Sequence, residues 1–249
     1  MTMAPAESPV LILGAGSDIA VALAHEFARV GHPIILAARR PEELAPVRSD
    51  IEIRHRVPVA TAVFDALDTG GHAAFMAAVR PRPRIVISAV GLMGDQEARL
   101  ADPAAAELVM RSNYAGPALA LEAAARMLAQ IDAPTAIVGI GSVAGDRGRA
   151  KNYLYGSAKA GFAAYLSGLR QRLDGTPVHV MTVKPGWVRT AMTEGIDLPP
   201  VLTSSPERIA RLVKRALDRK RLVVTPFPWG AIMAVIRLLP ESLFRKLRF

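Results

Sequence analysis

The chain has 249 residues, 51% hydrophobic and 21% charged, so it is long enough and apolar enough to bury a large core and is not expected to be disordered. The absence of cysteine excludes disulfide bonds and thiolate chemistry, and the five scattered histidines show no metal-ligand spacing, so no metal site is predicted. The net charge of +9 is concentrated in residues 206–249, which hold 11 Lys and Arg against 3 Asp and Glu. A local basic segment of this kind favours an anionic membrane surface, an acidic partner or a phosphate-bearing substrate as the binding partner, and argues against nucleic acid.

Short apolar runs alternate with segments of helical periodicity along most of the chain. Apolar runs without period-two alternation are typical of strands covered on both faces, and intervening helices indicate parallel crossovers. The predicted strands span residues 10–13, 33–38, 59–64, 84–90, 135–140, 177–183 and 221–225, and the predicted helices span 18–30, 72–79, 103–130, 153–173 and 206–217. We therefore predict an α/β fold: one doubly wound Rossmann-type domain (1–225) with a parallel seven-stranded sheet, and an apolar, basic helical appendage (226–249).

The termini show no secretory or membrane-spanning signal. Residues 1–9 lack a basic region, and no stretch approaches the roughly 20 uninterrupted apolar residues of a spanning helix. The sequence therefore predicts a cytoplasmic protein.

A glycine turn follows the first predicted strand in the stretch LGAGSDIA (13–20). Glycine there allows backbone to approach a pyrophosphate, and the next helix offers free N–H groups. The fingerprint is incomplete because Ala20 stands where a third glycine is common, so a tight turn without a ligand is the alternative. The dinucleotide contacts predicted here are Gly14, Gly16, Ser17, Asp18 and Ile19.

The second predicted strand ends in Arg39 and Arg40, where an NAD site usually carries an acidic residue. Paired arginines suit a 2′-phosphate, so NADP is the predicted cofactor. The alternative is a solvated pair of arginines in a protein that accepts NAD.

The third and fourth predicted strands end at the same edge of the sheet, where ligands of such folds bind. The cofactor contacts predicted there are Asp65, Ala66, Ala89, Val90 and Gly91. For Asp65 the alternative is a cap of the following helix.

The most specific pattern is GSVAGDRGRAKNYLYGSAK (141–159). Ser142 ends the fifth predicted strand, and Tyr155 and Lys159 share one face of the next helix. Tyr153 is a rival for Tyr155, but position 157 is Ser, so Tyr153 lacks a lysine four residues on.

From residue 10 to about 225 the chain resembles the short-chain dehydrogenase/reductase family, through the motifs above, Asn113 in RSNYAG and the segment KPGWVRT (184–190). The resemblance implies hydride transfer between a nicotinamide and a carbonyl, with Tyr155 as general acid, Ser142 on the substrate oxygen and Lys159 lowering the phenol pKa. It implies that Asn113 holds a water, that Lys159 binds the cofactor ribose, and that family members form homo-oligomers. The nicotinamide contacts it implies are Pro185, Gly186, Val188 and Thr190, besides Tyr155 and Lys159.

The last segment combines apolar and basic residues. Residues 229–239 would form a helix of about 16 Å, too short to span a bilayer but suited to lie at its surface. The cations placed toward anionic head groups are Arg237, Arg245, Lys246 and Arg248. The alternative is a helix that covers the substrate pocket or a subunit interface.

Several stretches resemble one subgroup, the decaprenylphosphoryl 2-keto-pentose reductases: FDALD, GLMGD, RSNYAG, YGSAKAG and IRLLPESLFRKL. This implies a keto-sugar on a polyprenyl phosphate as substrate and a partner oxidase that forms the ketone. The alternatives are a soluble reductase of a small ketone, alcohol or acyl substrate with the tail as lid, and a cofactor-binding regulator. The complete Ser142, Tyr155 and Lys159 set argues against a regulator, which needs no proton donor.

Overall fold

The computed structural model describes residues 8–247, and a seven-stranded parallel sheet forms its centre. This confirms the predicted fold class. The strands of the sheet are β1 (Val10–Leu13), β2 (Ile34–Ala38), β3 (Val59–Val63), β4 (Ile85–Ser88), β5 (Thr135–Ile140), β6 (Val178–Val183) and β9 (Val223–Val224). Their order in the sheet is β3-β2-β1-β4-β5-β6-β9. A separate two-stranded sheet pairs β7 (Trp187–Val188) with β8 (Thr203–Ser204) in parallel.

Helices cover both faces of the large sheet, which is why its strands are continuously apolar. The helices are α1 (Asp18–Ala28), α2 (Ala45–His55), α3 (His72–Ala78), α4 (Gln96–Leu100), α5 (Pro103–Met110), α6 (Gly116–Leu128), α7 (Tyr153–Arg172), α8 (Pro206–Asp218), α9 (Trp229–Leu238) and α10 (Glu241–Phe244). One core lies between the sheet and α1, α2 and α8, and the other between the sheet and α3, α6 and α7.

Residues 103–128 are helical, almost to the predicted end at residue 130, but a π-helical turn (Arg111–Ala115) joins α5 to α6 within this stretch. The Asn113 amide donates to the Val109 carbonyl at 2.8 Å, inside this turn. Such interruptions are frequent at functional sites.

Helix α2 was missed because it buries one residue, Ile51, and so shows no apolar periodicity. Its solvent face is instead supported by ion pairs at i, i+4, Arg48 with Glu52 and Arg54 with Asp50. Charge spacing was the signal that could have revealed it.

The crevice for a ligand lies where the strand order reverses, between β1 and β4. Gly14 follows β1 with φ of +77°, and a Cβ atom there would lie 3.0 Å from the Val90 backbone nitrogen beyond β4. The two turns therefore touch, and only glycine fits without strain.

The segment after residue 225 packs on the domain through α9 and α10. Trp229 and Met233 are buried against Val143, and the Trp229 indole N–H donates to the Leu202 carbonyl at 2.7 Å. Within residues 8–247 no helix is long and apolar enough to cross a membrane. The division of the chain at residue 225 stays a prediction.

The basic residues near the C-terminus fall into two groups in the structure, one on the domain and one on the last helices. Helix α8 and the turn that follows it carry seven of the eleven cations of residues 206–249, so most of that charge belongs to the domain. Arg237, Arg245 and Lys246 lie on or after α9, whereas Arg248 lies outside the described residues.

Candidate active site

Ser142, Tyr155 and Lys159 come together at the carboxyl edge of the sheet. Ser142 follows β5, and its side chain shares a hydrogen bond with the Tyr155 phenol. Lys159, one helical turn further along α7, places its Nζ atom 5.8 Å from the Tyr155 ring centroid. That ammonium is buried and donates to the Val90 and Ile140 carbonyls at 3.3 and 3.2 Å. Tyr153, by contrast, is 49% exposed and lies outside the cavity that Tyr155 lines.

Burial shifts both titrating groups toward their neutral forms. Burial raises the pKa of Tyr155 to about 12, against the effect of the Ser142 hydrogen bond, which lowers it. Burial lowers the pKa of Lys159 to about 8. Near pH 7 the phenol is thus protonated, as a general acid must be, and most Lys159 is cationic.

Lys159 is expected to make the stability of the cofactor-free protein depend on pH. Its pKa falls from 10.5 to about 8 on folding, because the buried side chain is more stable without its charge. The folded protein is therefore most stable, relative to the unfolded chain, above pH 10.5, where Lys159 is neutral in both states. This stability is lost as the pH falls through about 8, where the buried side chain takes up a proton. This contribution is at most about 3 kcal/mol. The raised pKa of Tyr155 has the opposite effect, but only above pH 10.

We predict that the free energy of unfolding, measured by urea titration, rises between pH 8 and pH 10. Lys159→Met should reduce this rise, because the methionine side chain does not titrate. The same rise in Lys159→Met as in the wild type would contradict the assignment to Lys159.

The glycine turn opens a cleft that fits a dinucleotide. A Cβ atom on Gly16 would meet nothing within 4 Å, so this backbone faces open space at the start of α1. Ser17 caps that helix by accepting from the Ala20 N–H at 3.3 Å. The cleft continues past the predicted residues Arg39, Arg40, Asp65, Ala66, Ala89, Val90 and Gly91. Open space beside the first turn of a helix suits a pyrophosphate, because backbone N–H groups and the helix dipole favour an anion there.

The two predicted arginines differ in their surroundings. Arg40 pairs with Glu43 at 2.7 Å. Arg39 has no side-chain hydrogen bond or ion pair to any residue in 8–247, although it lines the same cleft. Arg39 is therefore the better placed of the two to meet an added phosphate.

Asp65 closes a turn beside the cleft. Its Oδ1 atom accepts from the Leu67 N–H at 2.9 Å, whereas α3 begins after Gly71. The alternative that Asp65 caps this helix is therefore wrong.

The predicted nicotinamide contacts line the catalytic cavity, which has a volume of about 290 Å³: Pro185, Gly186, Val188 and Thr190, with Ile19 across from them. Asp18 joins the two sides, because its carboxylate accepts from the Ala191 N–H at 2.9 Å. Gly186 is packed directly against the Trp229 indole, so α9 supports this wall from behind.

Asn113 is fully buried and does not line the cavity. Its Oδ1 atom accepts from the Leu92 N–H at 3.2 Å, and its amide donates to the Val109 carbonyl. A Cβ atom on Gly91 would lie 3.3 Å from that oxygen and 3.5 Å from Lys159 Nζ. Asn113 thus holds the loop after β4, with its oxygen on the Lys159 side.

The sequence interpretation missed part of the cavity wall. Arg149 and Asn152 line it on the catalytic side, and so do Met93, Trp187 and Met192. Arg149 and Asn152 lie between Ser142 and Tyr155 in the chain, and that position was the available signal.

A doubly wound sheet with a glycine turn at its switch point and a Ser, Tyr and Lys group beside it defines a class of nucleotide-dependent oxidoreductases. Residues 8–199 match the family described as "short chain dehydrogenase". The chain belongs to this family and is an oxidoreductase.

Known relatives agree with this assignment. The chain is 34% identical over 244 residues to an uncharacterized oxidoreductase of Mycobacterium tuberculosis, covering 96% of this chain and 97% of the relative. It is 32% identical over 188 residues to sulfoacetaldehyde reductase 2 of Chromohalobacter salexigens, covering 74% of each. A short-chain dehydrogenase from Sphingobium yanoikuyae in complex with NADPH superposes with a TM-score of 0.79 at 25% identity, covering 97% and 96%.

Proposed function

We propose that the protein reduces a carbonyl group with NADPH, through Tyr155 as the proton donor. The observation that carries this proposal is the Tyr155 phenol, bonded to Ser142 and one turn from Lys159, in a cavity next to the glycine turn. When bound, NADPH supplies the hydride that reaches the carbonyl carbon.

The chain's own residues then handle the oxygen and its proton. Ser142 donates a hydrogen bond to the substrate oxygen, and Tyr155 transfers its phenolic proton to that oxygen as negative charge develops. Lys159 stabilises the resulting phenolate, because a cation nearby favours the charged form. Asn113 orders the loop beside Lys159 and, with a water molecule, supports reprotonation.

The preference for NADPH rests on Arg39, with Arg40 in support, and NAD is the alternative cofactor. The NADPH complex of the similar Sphingobium yanoikuyae protein is consistent with this choice. The remaining cleft residues of the predicted set hold the rest of the dinucleotide.

We propose a keto-sugar linked to a polyprenyl phosphate as the substrate. The support is the resemblance of the stretches FDALD, GLMGD and IRLLPESLFRKL to reductases of such substrates, together with an apolar, basic C-terminal segment. A partner oxidase would supply the ketone. A homo-oligomer also stays a prediction.

The outer face of the last two helices is suited to a membrane surface. Leu238 is 83% exposed and Val235 is 62% exposed on α9. The cations Arg237, Arg245 and Lys246 are also exposed, on α9 and at the end of α10. Apolar side chains beside cations favour the surface of an anionic bilayer.

Val235→Glu combined with Leu238→Glu is expected to weaken binding to vesicles of phosphatidylglycerol and phosphatidylcholine by about tenfold or more, because two carboxylates would enter the contact. Ile53→Glu combined with Val63→Glu is the matched control, since these residues are 77% and 69% exposed outside the C-terminal segment and the variant adds the same charge. Vesicle co-sedimentation measures the effect, and equal binding by both variants would refute the membrane contact. Truncation after Thr225 is a less suitable test of membrane binding, because it also removes the buried residues Trp229 and Met233 and so disturbs the packing of the domain.

The direct test of the function is NADPH oxidation with a polyprenyl-phosphoryl 2-keto-pentose. A simple cyclic ketone and sulfoacetaldehyde serve as soluble comparisons, the latter because of the relative named above. Turnover of the lipid-linked ketone above both comparisons supports the proposal. Turnover of the soluble carbonyls alone would support the soluble reductase instead.

A further inference from the structure

Two arginines in the loop after Ser142 have contrasting environments. Arg147 is fully engaged: it donates to the Ile236 and Leu239 carbonyls, pairs with Glu241 at 2.7 Å and stacks over the Phe244 ring. It ties the C-terminal helices to the catalytic loop and has a clear structural role.

Arg149 lines the catalytic cavity instead, and its Nε atom is buried without a hydrogen-bond partner among residues 8–247. The nearby carboxylate of Asp146 is already bonded to Lys184 at 2.6 Å. Burial lowers the pKa of Arg149, and the charge of Asp146 partly offsets this effect. A partly buried cation without a bonded anion is destabilising until one binds.

Asn152 supplies a second unsatisfied group in the same cavity. Its Oδ1 atom is buried and has no donor within the described part of the chain. Asn152 precedes α7 at the capping position, where asparagine usually accepts from the helix backbone, but its side chain makes no such bond. The oxygen therefore lacks a donor that the described part of the chain could supply, in a residue that lines the cavity.

We propose that Arg149 and Asn152 form a substrate subsite that selects carbonyl compounds bearing an oxyanion and a hydroxyl group. Arg149 binds the oxyanion through charge-assisted hydrogen bonds, and Asn152 accepts from the hydroxyl. The apolar side chains of Met93, Trp187 and Met192 line the same cavity, so Arg149 and Asn152 add polar contacts to a largely apolar wall. This proposal rests on the proposed reductase function and narrows its substrate class to hydroxylated phosphates or similar anions.

The test compares matched carbonyl pairs with the full-length protein. Dihydroxyacetone phosphate and dihydroxyacetone differ only by the phosphate, and both are assayed by NADPH oxidation with the wild type, Arg149→Met, Arg149→Lys and Asn152→Ala. Arg219→Met is the control for the loss of one positive charge, because Arg219 is exposed beyond α8. Binding of NADP⁺ is measured in parallel.

We expect Arg149→Met to lower kcat/KM for dihydroxyacetone phosphate by about 10- to 100-fold, as for a lost charge-assisted contact, and to leave dihydroxyacetone within about threefold. Arg149→Lys should retain part of the preference for dihydroxyacetone phosphate over dihydroxyacetone, because it keeps the positive charge. Asn152→Ala should reduce kcat/KM for both ketones. Equal losses for both ketones in Arg149→Met would overturn the proposal. A large loss of NADP⁺ affinity would do so as well, because Arg149 would then serve the cofactor.

A binding experiment keeps the subsite testable if no carbonyl is reduced. The NADP⁺ complex is titrated calorimetrically with dihydroxyacetone phosphate, and with farnesyl phosphate against farnesol to separate a lipid-borne phosphate from a soluble one. Binding of either phosphate that Arg149→Met abolishes supports the subsite, even if the reductase function fails. Absence of phosphate binding by the wild-type complex would overturn it.

Discussion

Tyr155→Phe is expected to lower kcat for carbonyl reduction by about 10²- to 10⁴-fold, the usual effect of removing a general acid. The substitution removes the phenolic hydroxyl that interacts with Ser142 and leaves the ring in place. NADPH binding, followed by the fluorescence of the reduced nicotinamide, should remain within about threefold, because the cleft around Gly16 is untouched.

Tyr153→Phe is the matched control for this prediction. Tyr153 lies two residues away on the same helix, is half exposed and does not line the cavity. Its loss should leave kcat within about twofold. Full activity in Tyr155→Phe, or an equal loss in both variants, would mean that Tyr155 is not the proton donor.

Arg39→Ala is expected to raise KM for NADPH by about 10- to 100-fold and to leave KM for NADH nearly unchanged. Arg39 lines the cleft without a protein partner, so its guanidinium is available to the 2′-phosphate. The substitution therefore removes one or two charge-assisted hydrogen bonds to NADPH and none to NADH, which lacks this phosphate.

Arg40→Ala provides the comparison, since Arg40 already pairs with Glu43 at 2.7 Å and should matter less. Steady-state kinetics with both cofactors measure the difference. Equal increases of KM for NADPH and NADH in Arg39→Ala would show that Arg39 does not bind the 2′-phosphate.

The sequence predicted the features that local chemistry determines. Strands β1 and β5 match the predicted ranges, because apolar runs bounded by turns mark buried strands clearly. The Ser142, Tyr155 and Lys159 group was found because a strand end and the i, i+4 spacing of a helix place residues predictably.

The rest depends on tertiary contacts that no local pattern reveals. Whether Arg147 or Arg149 faces the cavity follows from where α9 and α10 dock, and those contacts are about 90 residues distant in the chain. The π-helical turn at Asn113 likewise makes a contact with Leu92 beyond β4, which lies 21 residues away in the chain. The sequence pattern predicted the helical stretch there but not the π-helical turn within it.

The C-terminal helices α9 and α10 contact both the cavity wall and the loop that carries Ser142. Trp229 supports the wall at Gly186, and Arg147 joins the loop after Ser142 to α9 and α10. Helix α9 therefore connects the exposed residues Val235 and Leu238 with the cavity wall at Gly186.

The most direct test of the proposed reduction is deuterium transfer from [4,4-²H₂]NADPH to a 2-keto-pentose phosphate, analysed by mass spectrometry and NMR of the product. We expect one deuterium at the new carbinol carbon with the wild type, and about 100-fold less labelled product or lower in the same time with Tyr155→Phe. NADPH that binds to the wild type but delivers no deuterium to this ketone or to the comparison carbonyls would contradict it.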